Sequence, residues 1–279
     1  MTSLKTSLAS FVIHYSQLVD RFRAQRDSPS WEILSPTVIT EHHCLNDSRL
    51  FSYPGDLGPL IKAEIMAQCA EILHILSLHS ESIRRRNLLI EPAYSRELSS
   101  GHDPKMAQEF YSQAIAAYSR KNHELTLQHL KAIKLFLMSG KDYCLILEDD
   151  SIPVNDSPPE LEQQLEECLD HAYKLNEGYF DISNSFGFCA CQGSSHTDTN
   201  IAFTQMAPGQ TRCTSSYLLS REAAYLIVSQ TDHIVLPVDW HISYILCRFS
   251  CPTFWYSQPI FAQGSQTGHF ASNQALRGA

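Results

Sequence analysis

Three consecutive carboxylates, Glu148, Asp149 and Asp150, follow directly on the apolar run Tyr143-Cys144-Leu145-Ile146-Leu147. An uninterrupted apolar run of this kind reads as a central strand covered on both faces. Like charges set so close raise one another's pKa unless a cation neutralises them. Open α/β sheets place ligands at the carboxyl ends of their strands. Hard carboxylate oxygens there can hold Mg2+ or Mn2+ against a diphosphate, neutralising a leaving phosphate. A solvated acidic turn gives the same pattern, and the three residues alone leave both readings open. His129 is a second candidate. It shares the inward face of the preceding helical stretch with Leu125, Ile133 and Phe136, as a core histidine or as an imidazole aimed at the acidic pocket.

The elements that must position these groups alternate between the two periods. Residues 11–14 read as a buried first strand, and residues 31–34 as a second. Ile61, Ile65, Cys69, Ile72, Leu73 and Leu76 recur at helical spacing after the turn cluster at 54–59. Asp103-Pro104 opens a further helix carrying Met106, Phe110, Ala114 and Tyr118. The helix bearing His129 is stopped by Ser139-Gly140. Ser157 with Glu160 has the form of a capping box before Leu161, Leu165, Leu169 and Ala172. Later strands are expected at 179–182, 214–219, 234–238 and 253–256. The alternation predicts an α/β fold, a mainly parallel sheet with helices on both faces, in one domain over 1–279 without an evident boundary.

Bulk properties narrow the partners. A formal net charge of −9 argues against nucleic acid, because neutralising phosphates needs surplus Lys and Arg. The dense basic run Arg84-Arg85-Arg86 reads as a solvated helix end ahead of a phosphate or lipid-headgroup contact. Neither Cys189 with Cys191 nor Cys247 with Cys251 has the C-x2-C form of a zinc site, so the nine cysteines read as free thiols of a reducing compartment. No segment reads as a signal peptide or a membrane span. A cytoplasmic protein is expected, with peripheral contact at the inner face of a membrane left open.

The chain resembles glycosyltransferase family 25, which includes lipopolysaccharide and collagen galactosyltransferases. The resemblance rests on five blocks in order. Phe11-Val12-Ile13-His14 with Asp20-Arg21 is similar to the family's opening strand and its Asp-Arg. The residues 124–133, ending in His129-Leu130-Lys131-Ala132-Ile133, are similar to its helix. Leu145-Ile146-Leu147-Glu148-Asp149-Asp150 is similar to its acidic strand. Residues 216–224 are similar to its Tyr-x-x-Ser-x-x-Ala-Ala block. Leu236-Pro237-Val238-Asp239, with Gln258 to Gln263 and Ser265, is similar to its late Pro-x-Asp element. Thr126 and Gln128 stand where the family usually has Cys and Ser, and Tyr15 follows His14 where Asn-Leu is more usual. Roughly residues 57–120 have no counterpart and read as a helical insertion.

The resemblance implies a GT-A-like, Rossmann-like fold. It implies inverting, Mn2+- or Mg2+-dependent transfer of a hexose, galactose or glucose, from a UDP-sugar to a glycan acceptor such as lipopolysaccharide or another surface polysaccharide. Asp150, Glu148 and His269 are then the metal residues, and His14, Tyr15, Arg21, Glu148 and Asp149 the donor-binding residues. Inversion needs a carboxylate base at the acceptor hydroxyl. Asp239, following the strand expected at 234–238, is that candidate, with an N-cap of the next helix as its plainer role. His129 is the second catalytic candidate. Two other classes keep the acidic strand end: a metal-dependent phosphohydrolase and a non-catalytic glycan-binding relative.

Overall fold

The computed structural model describes residues 7–14, 18–44, 123–155, 157–183, 202–211, 213–231 and 236–270, with short pieces between 63 and 112 and at 191–192. Its strands are β1 (Leu8–His14), β2 (Thr37–Thr40), β3 (Leu88–Leu89), β4 (Tyr143–Glu148), β5 (Ser151–Pro153), β6 (Tyr179–Asp181), β7 (Cys191–Gln192), β8 (Phe203–Met206), β9 (Ser216–Ser220), β10 (Thr253–Tyr256) and β11 (Phe261–Gln263). The helices are α1 (Val19–Arg26), α2 (Pro29–Leu34), α3 (His123–Met138), α4 (Pro158–Leu175), α5 (Arg221–Ser229), α6 (Val238–Arg248) and the single turn α7 (Gly264–Thr267).

Seven strands form the central sheet in the order β2-β1-β4-β9-β6-β10-β8. The fold is α/β as expected, and the central sheet is mixed, with most of its strands in one direction. β2, β1, β4, β6 and β10 run in one direction, while β9 and β8 run against them. β4 lies between β1 and β9, and its residues Tyr143 to Leu147 are buried, as an apolar run with no polar alternation requires. Register brings Ile13 of β1 beside Glu148, so the acidic run leaves the sheet at the same rim as His14.

Helices cover both faces, as expected. One core joins Leu127, Ile133 and Phe136 of α3, Ala224 and Ile227 of α5, and Ile242 and Leu246 of α6 to Ile146 and Tyr217 of the sheet. The other joins Leu161, Leu165 and Leu169 of α4 to Leu145, Leu147, Phe180 and Phe254. Alternate residues of β4 feed the two cores, as the period of two demands. The α3 helix ends where Gly140 takes φ 71°, a left-handed conformation that glycine adopts without a Cβ penalty.

Three local expectations are corrected. Residues 31–34 belong to a helix, α2: Pro29 sits in its first turn and Ser35, at φ 43°, ends it with an N–H to the Trp31 carbonyl. The second strand follows at Thr37–Thr40, whose β-branched residues suit it. The capping box is replaced by a different cap. Ser157 makes no side-chain cap; its N–H donates to Asn155 Oδ1, and the Asn155 amide donates to Glu160. The strand expected at 234–238 is not formed at its described end, because Val238 starts α6 after Pro237; residues 232–235 lie outside the described residues. The helices expected from Ile61 and from Pro104 lie mostly outside them too, although residues 66–70 are helical and Cys69 is buried.

The segment after β10 folds back over the acidic run. β11 pairs antiparallel with β5, Gln263 opposite Ser151, and the Gly264 N–H donates to the Asp150 carbonyl at 2.7 Å. A Cβ on Gly264 would lie 2.6 Å from Phe270 and 2.7 Å from Ile152. Gly264→Ala is therefore expected to destabilise by about 1–3 kcal/mol through overpacking. Denaturant titration checks this; a midpoint unchanged from wild type would show that the turn yields freely.

Candidate functional site

The three carboxylates at the end of β4 share a rim but have different partners. Glu148 lies on the α3 side of the sheet and is partly exposed, its side chain at 18%. Its Oε1 accepts a hydrogen bond from the Thr214 hydroxyl at 2.8 Å and faces His129 Nε2 at 3.6 Å. Its backbone is fixed as well: the Glu148 N–H donates to the Ser215 carbonyl, and the Gln25 amide donates to the Glu148 carbonyl.

Asp149 turns inward. His14 Nδ1 donates to its Oδ2 at 3.1 Å and Arg21 Nη1 to its Oδ1 at 3.2 Å, with all three side chains nearly inaccessible. His14 stacks on Phe22, ring centroids 4.7 Å apart, and the Arg21 guanidinium lies over Phe270. A charged Arg can be buried here because a carboxylate and an aromatic face receive it. This network ties β1, α1, β4 and the C-terminal turn together. His14, Arg21 and Asp149, expected to bind the donor, thus meet one another. Tyr15 lies outside the described residues.

Asp150 is buried with one oxygen engaged. Its Oδ2 accepts from the Ser265 N–H at 3.3 Å and lies 3.9 Å from Arg21 Nη1. Its Oδ1 is buried and has no hydrogen-bond partner among the described residues. Burial pushes the carboxyl up to about 6, with the Glu148 and Asp149 charges adding to the rise and the Ser265 N–H and Arg21 opposing it. An unpaired carboxylate oxygen inside a protein costs free energy unless a proton or a cation completes it.

Asp239 stands in the first turn of α6, not after a strand, and it is not the N-cap, a position held by Pro237. Its carboxylate accepts from its own N–H and that of Trp240. Desolvation raises its pKa to about 6, and the negative charge of Glu148 adds to the rise. Asp239 thus feels the charge of Glu148 from a helix, and not from the end of the expected strand. His129 is fully buried. Its Nδ1 is 2.8 Å from the Tyr217 hydroxyl and its ring stacks on that residue, so it backs Glu148 from inside the core. His269 is exposed, its Nδ1 2.9 Å from the Thr267 hydroxyl. Among the described residues no three His, Cys, Asp or Glu side chains are grouped to hold a metal, so Asp150, Glu148 and His269 do not make a ready shell.

Thr214, Ser151, Gln25 and Asp181 escape a reading by sequence. The Ser151 hydroxyl and Glu148 N–H both donate to the Ser215 carbonyl, which locks the turn after β4 to the entry of β9. Asp181 carried a usable signal, since Tyr179-Phe180-Asp181 repeats the pattern of an apolar strand ending in a carboxylate. It is fully buried, and its Oδ1 accepts from the Ser183 N–H and hydroxyl. β6 runs in the direction of β4, so Asp181 approaches the same rim.

Among the described residues no helix is long and apolar enough to cross a membrane. No protein-family model and no curated protein matches the chain.

Proposed function

We propose that this protein is an inverting, cation-dependent glycosyltransferase of GT-A type, moving a hexose from a UDP-sugar to a glycan hydroxyl. The observation that carries this reading is Asp150 Oδ1, a buried carboxylate oxygen with no partner among the described residues, at the carboxyl end of a central strand. The donor set fits Mg2+ or Mn2+ in a limited way. It offers no closed cage, but such ions commonly take one or two carboxylates and fill the rest of their sphere with water and substrate phosphate oxygens. Asp150 would hold the ion, with Glu148 beside it, and when bound the ion supplies charge neutralisation for the departing diphosphate.

The remaining chemistry belongs to the chain's own groups. The acceptor hydroxyl loses its proton to Asp239 as its oxygen bonds to the anomeric carbon, and the bond from that carbon to the diphosphate oxygen breaks on the opposite side. A base whose pKa lies at about 6 is ionised at neutral pH yet still takes up a proton in the transition state. Glu148, held on one oxygen by Thr214, offers the other to a ligand hydroxyl.

Incubating the protein with UDP-hexoses and Mn2+ and following UDP release tests the reading. Slow donor hydrolysis, accelerated by a glycan acceptor, is expected. Release of inorganic phosphate from simple phosphate esters without any acceptor would favour a phosphohydrolase, and neither product would favour a glycan-binding role. Asp150→Ala is expected to lose cation-dependent UDP binding beyond the roughly 10–100-fold that outer partners of a metal are worth; calorimetry showing unchanged affinity would remove the assignment.

The Asp150 carboxyl also predicts a pH dependence. Its folded pKa, about 6, lies above the ordinary aspartate value. Its protonation therefore favours the folded state below the unfolded pKa, and that contribution is lost as pH rises through about 6. A bound cation relieves the buried charge only where the group is ionised. Mn2+ is thus expected to raise the melting temperature at pH 7.5 and to have little effect at pH 5, by differential scanning calorimetry. Equal shifts at both pH values would place the ion elsewhere.

A further inference from the structure

Glu148 is held from behind by a chain of buried groups that runs into the core. Tyr179 stacks on Tyr217, with ring centroids 5.0 Å apart, and Tyr217 stacks on His129 at 5.9 Å. The Tyr217 hydroxyl meets His129 Nδ1 at 2.8 Å, and His129 Nε2 faces Glu148 Oε1 at 3.6 Å. Thr214 donates to that same oxygen at 2.8 Å. His129 and Tyr217 are fully buried and Thr214 nearly so.

The chemistry of these contacts fixes the imidazole's proton. A lone pair on Nε2 facing a carboxylate oxygen would be repelled, whereas an N–H there is attracted. Nδ1 is then the acceptor, and the tyrosine hydroxyl donates to it. Nε2 has no closer partner among the described residues, since it is buried without a hydrogen bond. Both donors therefore converge on Oε1. Oε2 of this partly exposed carboxylate is left without a hydrogen bond among the described residues.

We propose that Tyr217, His129 and Thr214 are positioning residues that hold Glu148 Oε1 inward, so that Oε2 faces the rim as the acceptor for a hydroxyl of the bound sugar nucleotide. The identity of the ligand rests on the glycosyltransferase reading; the cradle behind Glu148 does not. A carboxylate fixed in one rotamer meets a hydroxyl without first losing its own freedom, which is what preorganisation contributes to binding.

Two measurements test this. In protein carrying 15N-labelled histidine, His129 is expected to show the Nε2-protonated tautomer in the wild type and in Tyr217→Phe, and Glu148→Gln is expected to give a mixture of tautomers. An Nδ1-protonated ring in the wild type overturns the cradle. Binding of UDP and of UDP-galactose with Mn2+ is then compared across variants. Thr214→Val, which keeps the side-chain shape, is expected to weaken binding about tenfold, and Thr214→Ser to restore it. The loss is expected to vanish in a Glu148→Gln background, because Thr214 acts only through that carboxylate. A loss already present with UDP puts the hydroxyl on the ribose; a loss confined to UDP-galactose puts it on the hexose. An equal loss in the Glu148→Gln background, or failure of serine to rescue, overturns the positioning role. If the wild type binds neither probe, the sugar-nucleotide ligand falls, while the histidine resonances still decide the cradle.

Discussion

Asp149→Ala is expected to cost the fold roughly 3–5 kcal/mol, the range for breaking a buried ion pair by removing one partner. Both oxygens of Asp149 are taken, by His14 Nδ1 and by Arg21 Nη1, and both partners are buried. Alanine would leave the guanidinium inside the protein with Asp150 3.9 Å away. That residual attraction places the cost toward the lower end of the range. The loss would also loosen the contact of Arg21 with Phe270, and so the turn that lies over Asp150. Thermal unfolding is expected to shift downward by on the order of 10 °C. Per folded molecule, cation-dependent nucleotide binding should persist, because the Asp149 side chain is turned inward to His14 and Arg21 and is nearly inaccessible. A variant that melts like the wild type but binds no nucleotide would reverse this assignment and return Asp149 to the donor site.

The division of labour among the three carboxylates was not legible in the sequence, and the reason is physical. Their position at the end of a buried strand follows from five apolar residues in a row. Which of them faces a ligand depends on partners far away along the chain, Arg21 and His14 for Asp149 and Thr214 for Glu148. No local pattern encodes contacts that span 66 to 135 residues of chain. The same limit applies to the sheet. Strands β4, β9 and β10 stand out by their apolar character, but a strand's composition carries no record of its direction, so the opposed β9 reads as a member of a mainly parallel sheet, and β8 is not expected at all. Residues 31–34 show the ambiguity of short apolar runs: Trp-Glu-Ile-Leu fits either period, and the decision lies with Pro29 before it and the left-handed Ser35 after it. The helices α3 and α4 were legible because they are long enough for a period of 3.6 to declare itself, and Ser139-Gly140 marks the stop of α3.

Asp239→Asn is the substitution expected to reduce activity most while sparing the donor site. General-base catalysis typically contributes 10²–10⁴-fold, so turnover should fall by about that factor with donor affinity nearly unchanged. The carboxylate stands in the first turn of α6, where burial and the charge of Glu148 raise its pKa to about 6. A base must be ionised to act, so turnover at saturating donor and Mn2+ should fall about tenfold per pH unit below 6 and level off above it. The asparagine variant should lack that limb. Asp150 titrates over the same range, but its protonation weakens cation binding and so acts on kcat/KM, whereas that of Asp239 acts on kcat as well. Asparagine keeps an oxygen able to accept from the Asp239 and Trp240 backbone N–H groups, which largely preserves the helix start. A variant that transfers sugar within a few-fold of the wild-type rate, yet melts earlier, would show that the carboxylate serves α6 alone and that the base lies on another element of the rim, with Asp181 the next residue to replace.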